Sequence, residues 1–433
     1  MTGNAERAAS TISAGKAGRF ARAHGALVAV LVVALVLRLA YCFIIGPALV
    51  RNSAQDIGWL MVNGKIASDP YDQIARNIVL GKGYVDDSGR RNYERPPGYV
   101  LFLAGGYWLW GFDLWKVQLA QSVLDTVTCL LVFLLASRVL RDRQASLLAA
   151  LLYAFFYKII NMVSRPMSET FYVFVLLVFL LLFVVSFSRS AFSFPAGLGL
   201  GLVTLTKPVT LLFPVVVVVL YLLRGRRSGL QRAVPFVLAF ALTCFYPLLS
   251  NYRETGRLFF ALGGGKIAYM GTAIDYSKTF RVEEQRLVDE IQRDAPDFPY
   301  EAEVDARLGS VAIHRILAAP WAYVERVAYR LFLFWVYPDC STPLRAAKTS
   351  VGLLFSLVMC ALAVYGAVVA RAAGALLSPL VSLFLYCYGL YSLFYTTTRY
   401  ASPLFPIVFI LAAVGAMTLW RRRPLRADAE SRV

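Results

Sequence analysis

Apolar runs separated by short basic segments dominate the chain from about residue 26 to residue 420, and most are close to the roughly twenty residues that cross a bilayer as a helix. The first, from Ala26 to Ile45, follows a polar stretch with Arg7, Lys16, Arg19 and Arg22. It is too long for a signal-peptide core and predicts a retained signal anchor. Nine more spans are predicted at 114–136, 145–160, 170–187, 195–206, 209–223, 233–249, 350–370, 376–396 and 402–420. The piece from Gly98 to Trp110 has thirteen residues and an internal Gly105-Gly106, which is short for a crossing. It is expected in the outer interface, or to enter and turn back. The stretch 321–337 is aromatic but interrupted by Glu325, Arg326 and Arg330, and it too reads as interfacial. The pattern predicts an all-α polytopic membrane protein of about ten transmembrane helices. One domain covers 26–420, with outer loops 47–113 and 251–349, between a basic N-terminus (1–25) and a tail (421–433).

The first outer loop carries a second pattern. Tyr71, Ile74, Ala75 and Ile78 stand at i, i+3, i+4 and i+7, one apolar helix face, and Asp72, Gln73, Arg76 and Asn77 fill the opposite, solvated one. Asp69 sits where an N-cap belongs and Pro70 where a first helical residue belongs. This predicts a short amphipathic helix lying on the membrane surface, with Tyr71 and Tyr84 as interfacial belt residues. Gly81-Lys82-Gly83-Tyr84 then forms a turn, and Glu94-Arg95-Pro96-Pro97-Gly98-Tyr99 leads onward.

Composition agrees with a membrane protein: 58% of the 433 residues are hydrophobic and the mean hydropathy is +0.60. The net charge of +18 does not indicate nucleic acid, because of where it lies. Residues 51–95 carry seven Lys/Arg against six Asp/Glu, and residues 251–349 carry thirteen against thirteen. The excess falls in the short segments 1–25, 138–143, 224–232 and 421–433, a positive-inside bias that places both termini in the cytoplasm of a cytoplasmic (inner) membrane. Cys42, Cys129, Cys244, Cys340, Cys360 and Cys387 show no metal or disulfide spacing. Two histidines, His24 and His314, exclude a His-rich metal site.

On this topology Asp69, Arg95, Arg165, Glu169, Lys207, Arg253 and Arg399 all fall at the outer face. Charges at membrane depth are costly and mark substrate paths, so seven from separate segments suggest a single pocket. Arg38, inside the first span, is expected to face the bundle. The interiors of the second to fourth spans read as almost uncharged, which disfavours the competing class, a multi-pass transporter or lipid-carrier flippase with a polar through-path. Gly263-Gly264-Gly265-Lys266 lacks the rest of the P-loop pattern and reads as a flexible lid or turn.

Several short motifs follow in order. They are Tyr-x-x-Ile-Ala-Arg-Asn from Tyr71, Arg-Pro-Pro-Gly-Tyr from Arg95, Ser-Glu-Thr from Ser168, Leu-Thr-Lys-Pro from Leu205, Asn-Tyr-x-x-x-Gly from Asn251 and Arg-Tyr-x-x-Pro-x-x-Pro from Arg399. Together, over about residues 30–420, the chain resembles the GT-C glycosyltransferases of the protein O-mannosyltransferase and lipid A aminoarabinose transferase kind. The resemblance implies a GT-C-like bundle and transfer of a sugar from a polyprenyl-phosphate donor on the outer face, to a lipid, glycan or protein acceptor. The soluble C-terminal domain of larger members is not expected here. Family members carry an essential Asp in the first outer loop, which Asp69 matches best; Asp72 and Asp56 stay in contention because the spacing to the Tyr differs.

The chemistry accounts for such residues. An acceptor hydroxyl must lose its proton as it attacks, and a carboxylate is a suitable base. The phosphate leaving group needs cations rather than an acid, for which Arg95, Lys207 and Arg399 are the candidates. Asp69 caps a helix equally well, and Lys207 could simply snorkel. Glu169 is a second catalytic candidate; it could pair with Arg165, or support the base or a metal. A divalent cation is the one cofactor the residues leave open.

Overall fold

The computed structural model describes residues 25–45, 70–272, 282, 285–290, 293, 300–335, 343–396 and 398–421, with residues 343–349 and 398 described by backbone alone. The described chain is helical; its one β interaction is an isolated bridge between Val85 and Arg91. The helices are α1 (Gly25–Ile45, its last turn a π-helix from Tyr41), α2 (Pro70–Val79), α3 (Pro97–Trp110) and α4 (Leu114–Leu140). Next come α5 (Arg143–Phe155), α6 (Tyr157–Val163), α7 (Ser168–Ser186), α8 (Ser193–Thr206), α9 (Phe213–Leu222) and α10 (Arg226–Thr255). In the polar segment lie α11 (Gly264–Met270), α12 (Tyr300–Ala318) and α13 (Pro320–Leu333). Finally α14 (Pro343–Ala372), α15 (Ser378–Leu393) and α16 (Phe405–Arg421) complete the bundle.

Each predicted span falls on a helix. Among the described residues six helices are long and apolar enough to cross a membrane: α1, α4, α7, α10, the 350–372 part of α14, and Arg399–Arg421 containing α16. A seventh is α5 with α6 if that pair, bent by 55°, is one span, while α8, α9 and α15 are shorter apolar helices. Every residue from Phe405 to Gly415 is buried, so α16 runs through the middle of the bundle, as its all-round apolar sequence requires. Glycines set the closest crossings. A Cβ at Gly197 or Gly201 of α8 would overlap Phe236 or Thr243 of α10, and Gly366 and Gly415 do the same for α14 against α16.

The straight span expected over 145–160 is broken at Phe156, which leaves the helix with φ −72° and ψ 103°. The interior of the preceding span is not uncharged either. Asp125 of α4 is fully buried and accepts from Arg38 Nε at 2.5 Å and from Tyr153 Oη at 2.5 Å. Arg38 Nη1 also donates to the carbonyls of Ala34 (2.9 Å) and Ala154 (3.2 Å). A buried guanidinium must spend its donors somewhere. The carbonyl of Ala154, freed by the break, is one acceptor.

Two further expectations change in the polar segment. Arg330, expected as a polar interruption of α13, is buried and donates to the carbonyls of Ser392 (2.7 Å), Leu393 (3.1 Å) and Gly271 (2.5 Å) at helix ends. Gly263–Lys266 is not a lid. Gly263 takes φ 106° and starts α11, Lys266 N donates to Asp305 Oδ1 at 2.9 Å, and Gly265 abuts the Asp305 backbone of α12 too closely for any side chain.

Candidate functional site

Glu169 stands in the first turn of α7, where the helix dipole favours a negative charge, and it has no exposure to solvent. One of its oxygens, Oε1, accepts from Lys207 Nζ at 2.8 Å and from Arg399 Nε at 2.5 Å. Lys207 follows the last residue of α8, and Arg399 lies in the short turn Thr398–Ala401 ahead of α16. The ammonium of Lys207 also sits over the rings of Tyr172 (5.4 Å) and Tyr400 (5.8 Å), and Tyr400 stacks on Tyr391 at 4.8 Å. The other carboxylate oxygen, Oε2, has no partner among the described residues.

Arg95 arrives from the other side. Its guanidinium lies over the Tyr71 ring at 5.2 Å and acts electrostatically on Lys207 and Tyr400, and Tyr71 acts on Arg399. Its backbone carbonyl is held by Tyr84 Oη at 2.7 Å, and its Nε has no partner among the described residues. The Gly98 of Arg-Pro-Pro-Gly-Tyr explains this approach. A Cβ there would lie 2.6 Å from Thr206 Oγ1 and 2.9 Å from the Leu205 backbone, so only glycine lets α3 touch the residue beside Lys207. Lys207 and Arg399 thus share one carboxylate, and Arg95 stands close enough to Lys207 to act on it electrostatically.

The first-loop helix forms as its periodicity predicts, but its polar face is not solvated. Asp72 is buried, accepting from Tyr107 Oη of α3 and from Arg76 Nε at 2.8 Å, and Asn77 is buried as well. Arg76 in turn lies between the Tyr107 and Phe112 rings, 5.2 Å from each. Tyr71 is not a belt residue: it is buried edge-on against Tyr99 at 5.2 Å. The reason is α3, which covers α2 and turns a surface helix into a packed one. Asp69 and Asp56 lie outside the described residues.

Not all seven charges meet. Arg165 does not pair with Glu169; its carbonyl accepts from Gln121 Nε2 at 2.7 Å, and its Nε has no partner among the described residues. Arg253 is exposed in the last turn of α10, whose ion-paired neighbour Glu254 binds Arg91. Asp125 was missed because a lone acid in an apolar run carries no period; its match with Arg38 was the available signal. Among the described residues no three His, Cys, Asp or Glu side chains group closely enough to hold a metal ion, and Glu169 is already neutralised by two cations.

Residues 94–250 match the family described as dolichyl-phosphate-mannose-protein mannosyltransferase. An undecaprenyl phosphate-alpha-4-amino-4-deoxy-L-arabinose arabinosyl transferase of Pseudomonas aeruginosa is 34% identical over 204 residues, 44% of this chain. The match spans only 37% of that relative's own length. The oligosaccharyltransferase of Archaeoglobus fulgidus superposes with a TM-score of 0.55 at 14% identity, over 92% of this chain and 51% of the other. The same enzyme in complex with an inhibitory peptide and a dolichol-phosphate gives 0.53 at 15% identity, over 94% and 52%. At those identities the likeness speaks for the fold. The sequence match covers the stretch that carries Arg95, Glu169 and Lys207, and the backbone follows that oligosaccharyltransferase over most of this chain, so the chain is similar to GT-C glycosyltransferases in fold and over that stretch of sequence.

Proposed function

We propose that this protein transfers a sugar from a polyprenyl-phosphate donor to an acceptor on the outer face of the inner membrane, by one inverting displacement. The observation that carries this is the meeting of Lys207 and Arg399 on Glu169 Oε1, with Arg95 alongside over the Tyr71 ring and electrostatically close to Lys207. As the acceptor oxygen bonds to the anomeric carbon, the bond from that carbon to the phosphate oxygen breaks. The electron pair leaves with the phosphate, which goes from a diester to a monoester and gains charge. Three cations against one carboxylate leave a net positive site for that growing charge. Glu169 serves as the positioning group that holds Lys207 and Arg399 together, and Tyr71 borders the cluster through Arg95.

Asp69 takes the acceptor's proton. Asp72 is a weaker choice, because Tyr107 and Arg76 occupy both of its oxygens. In sequence Asp69 directly precedes Pro70, the first residue of α2, the helix that carries Tyr71 toward Arg95. The test is Asp69→Asn. Asparagine caps a helix about as well as aspartate, so thermal stability should not move, while loss of a base should slow transfer about 10²–10⁴-fold. The assay is transfer from a polyprenyl-phosphate sugar by the purified protein. Wild-type activity in the variant would return Asp69 to the cap and move the base to Asp72 or Asp56.

A further inference from the structure

A cavity of about 180 Å³ opens at the other end of the bundle, and sugar transfer has no use for it. It is bounded by the end of α4 (Arg138, Arg141), by Ser188 just past α7, and by the turn from α14 to α15 (Ala370, Ala373, Gly374). From Glu169 to Ser188 is nineteen residues along α7 and its end. At about 1.5 Å per residue that is roughly 28 Å, close to the hydrocarbon thickness of a bilayer. The cavity and the Glu169 cluster therefore sit at opposite membrane faces.

Two arginines line this cavity and no carboxylate does. Arg138 Nη2 donates to Ser188 Oγ at 2.7 Å, which fixes the guanidinium at the wall with its remaining donors unspent on acids. The neighbouring carboxylate, Asp142, is already committed: it caps α5 through Gln144 N and Ala145 N and accepts from Arg421 Nη1 at 2.5 Å. Arg141 takes φ 53°, ψ 22° at the end of α4, and is the one non-glycine residue with positive φ among those described. Glycine is the usual residue at such a helix end. Opposite, Gly374 (φ 77°) and small alanines keep the floor free of side chains. The space is many times the ~10–15 Å³ that one water needs.

We propose that this cavity binds a phosphate group at the membrane face opposite the transfer site, presented as the headgroup of an anionic lipid or as free phosphate. Guanidinium forks suit phosphate oxygens, Ser188 adds a hydroxyl, and the absence of a lining acid leaves the charge uncompensated until an anion enters. A general positive-inside bias would need arginines at this face but no cavity between them. Arg226 and Arg227, at the start of α10, provide that comparison.

The experiment uses the full-length protein in detergent, stripped of lipid, with phosphatidylglycerol, phosphatidylcholine of the same chains, or inorganic phosphate added. Bound lipid is counted by native mass spectrometry and stabilisation is followed by thermal unfolding. Phosphatidylglycerol should bind in preference to phosphatidylcholine, and R138A/R141A should weaken it about thirtyfold, taking each basic residue at its usual worth near an anionic surface. R226A/R227A should change it much less, because neither side chain lines the cavity. Ala373→Leu fills the space without touching any charge, so it decides the matter if the double variant does not fold; it should weaken binding as well. Stabilisation by inorganic phosphate that displaces the lipid would assign the site to free phosphate, and stabilisation by the lipid alone would assign it to a headgroup. Equal losses in R138A/R141A and R226A/R227A, or undiminished binding in Ala373→Leu, would overturn the proposal.

Discussion

Glu169 is a carboxylate with no exposure, and it remains compatible with an apolar helix only because two cations share one of its oxygens. Removing the shared partner is the most damaging change available there. Glu169→Ala should destabilise the protein by about 3–5 kcal/mol, since it leaves an ammonium and a guanidinium facing each other without a counter-charge. Arg399→Ala should cost clearly less, because the Arg399 side chain is 41% exposed and water screens its share of the pair, whereas Lys207 still neutralises Glu169. Denaturant or thermal unfolding of the two variants in the same detergent ranks them; Arg399→Ala proving the more harmful would mean that the carboxylate is not the keystone. The residue types here were legible in sequence, as charges bordering apolar runs. Their partners were not: Glu169 was paired in expectation with Arg165, four residues away, and the structure pairs it with a residue 230 positions on.

Among the elements, the contact between α3 and the end of α8 is the one on which the site's geometry turns. Gly98 meets Thr206 and the Leu205 backbone with no room for a methyl group. A backbone cannot rotate out of the way as a side chain can, so Gly98→Ala must push α3 outward and carry Arg95 away from Lys207. The expected result is a loss of about 1–3 kcal/mol in stability, typical of overpacking, together with weaker use of the lipid donor at unchanged acceptor affinity. Donor and acceptor titrations of the variant would check it; an unaltered donor response would detach α3 from the phosphate site. The sequence told the helical nature of α2 and the apolar nature of α3. It did not tell that α3 would cover the polar face of α2, because a hydrophobic period reports one helix's own faces and not what is laid against them.

At the scale of the whole molecule, the two polar segments meet. Glu301 at the start of α12 is half-buried, and that burial, with the Glu94 and Asp86 carboxylates of the first segment, raises its pKa from 4.5 to about 6. The folded state thus holds a proton that the unfolded state has released, so stability falls as pH rises from about 4.5 to 6 and is level above. Glu301→Gln should flatten that slope and raise stability at neutral pH, as thermal unfolding across pH 4.5–7 would register; an unchanged slope would place the titration elsewhere. What the sequence by itself determined is the chain's class and its chemistry-bearing residues. Apolar runs of membrane length dictate helices, because a backbone in hydrocarbon must satisfy its own polar groups, and charges at their ends had to be few and conspicuous. What only the tertiary structure decided is who meets whom. Arg38 finds Asp125 across 87 positions, the Ala154 carbonyl is freed by a break that no proline announces, and Asp72 is buried by a neighbour rather than by its own helix. Those outcomes depend on long-range contacts whose energies exceed local preference, and a local pattern does not contain them.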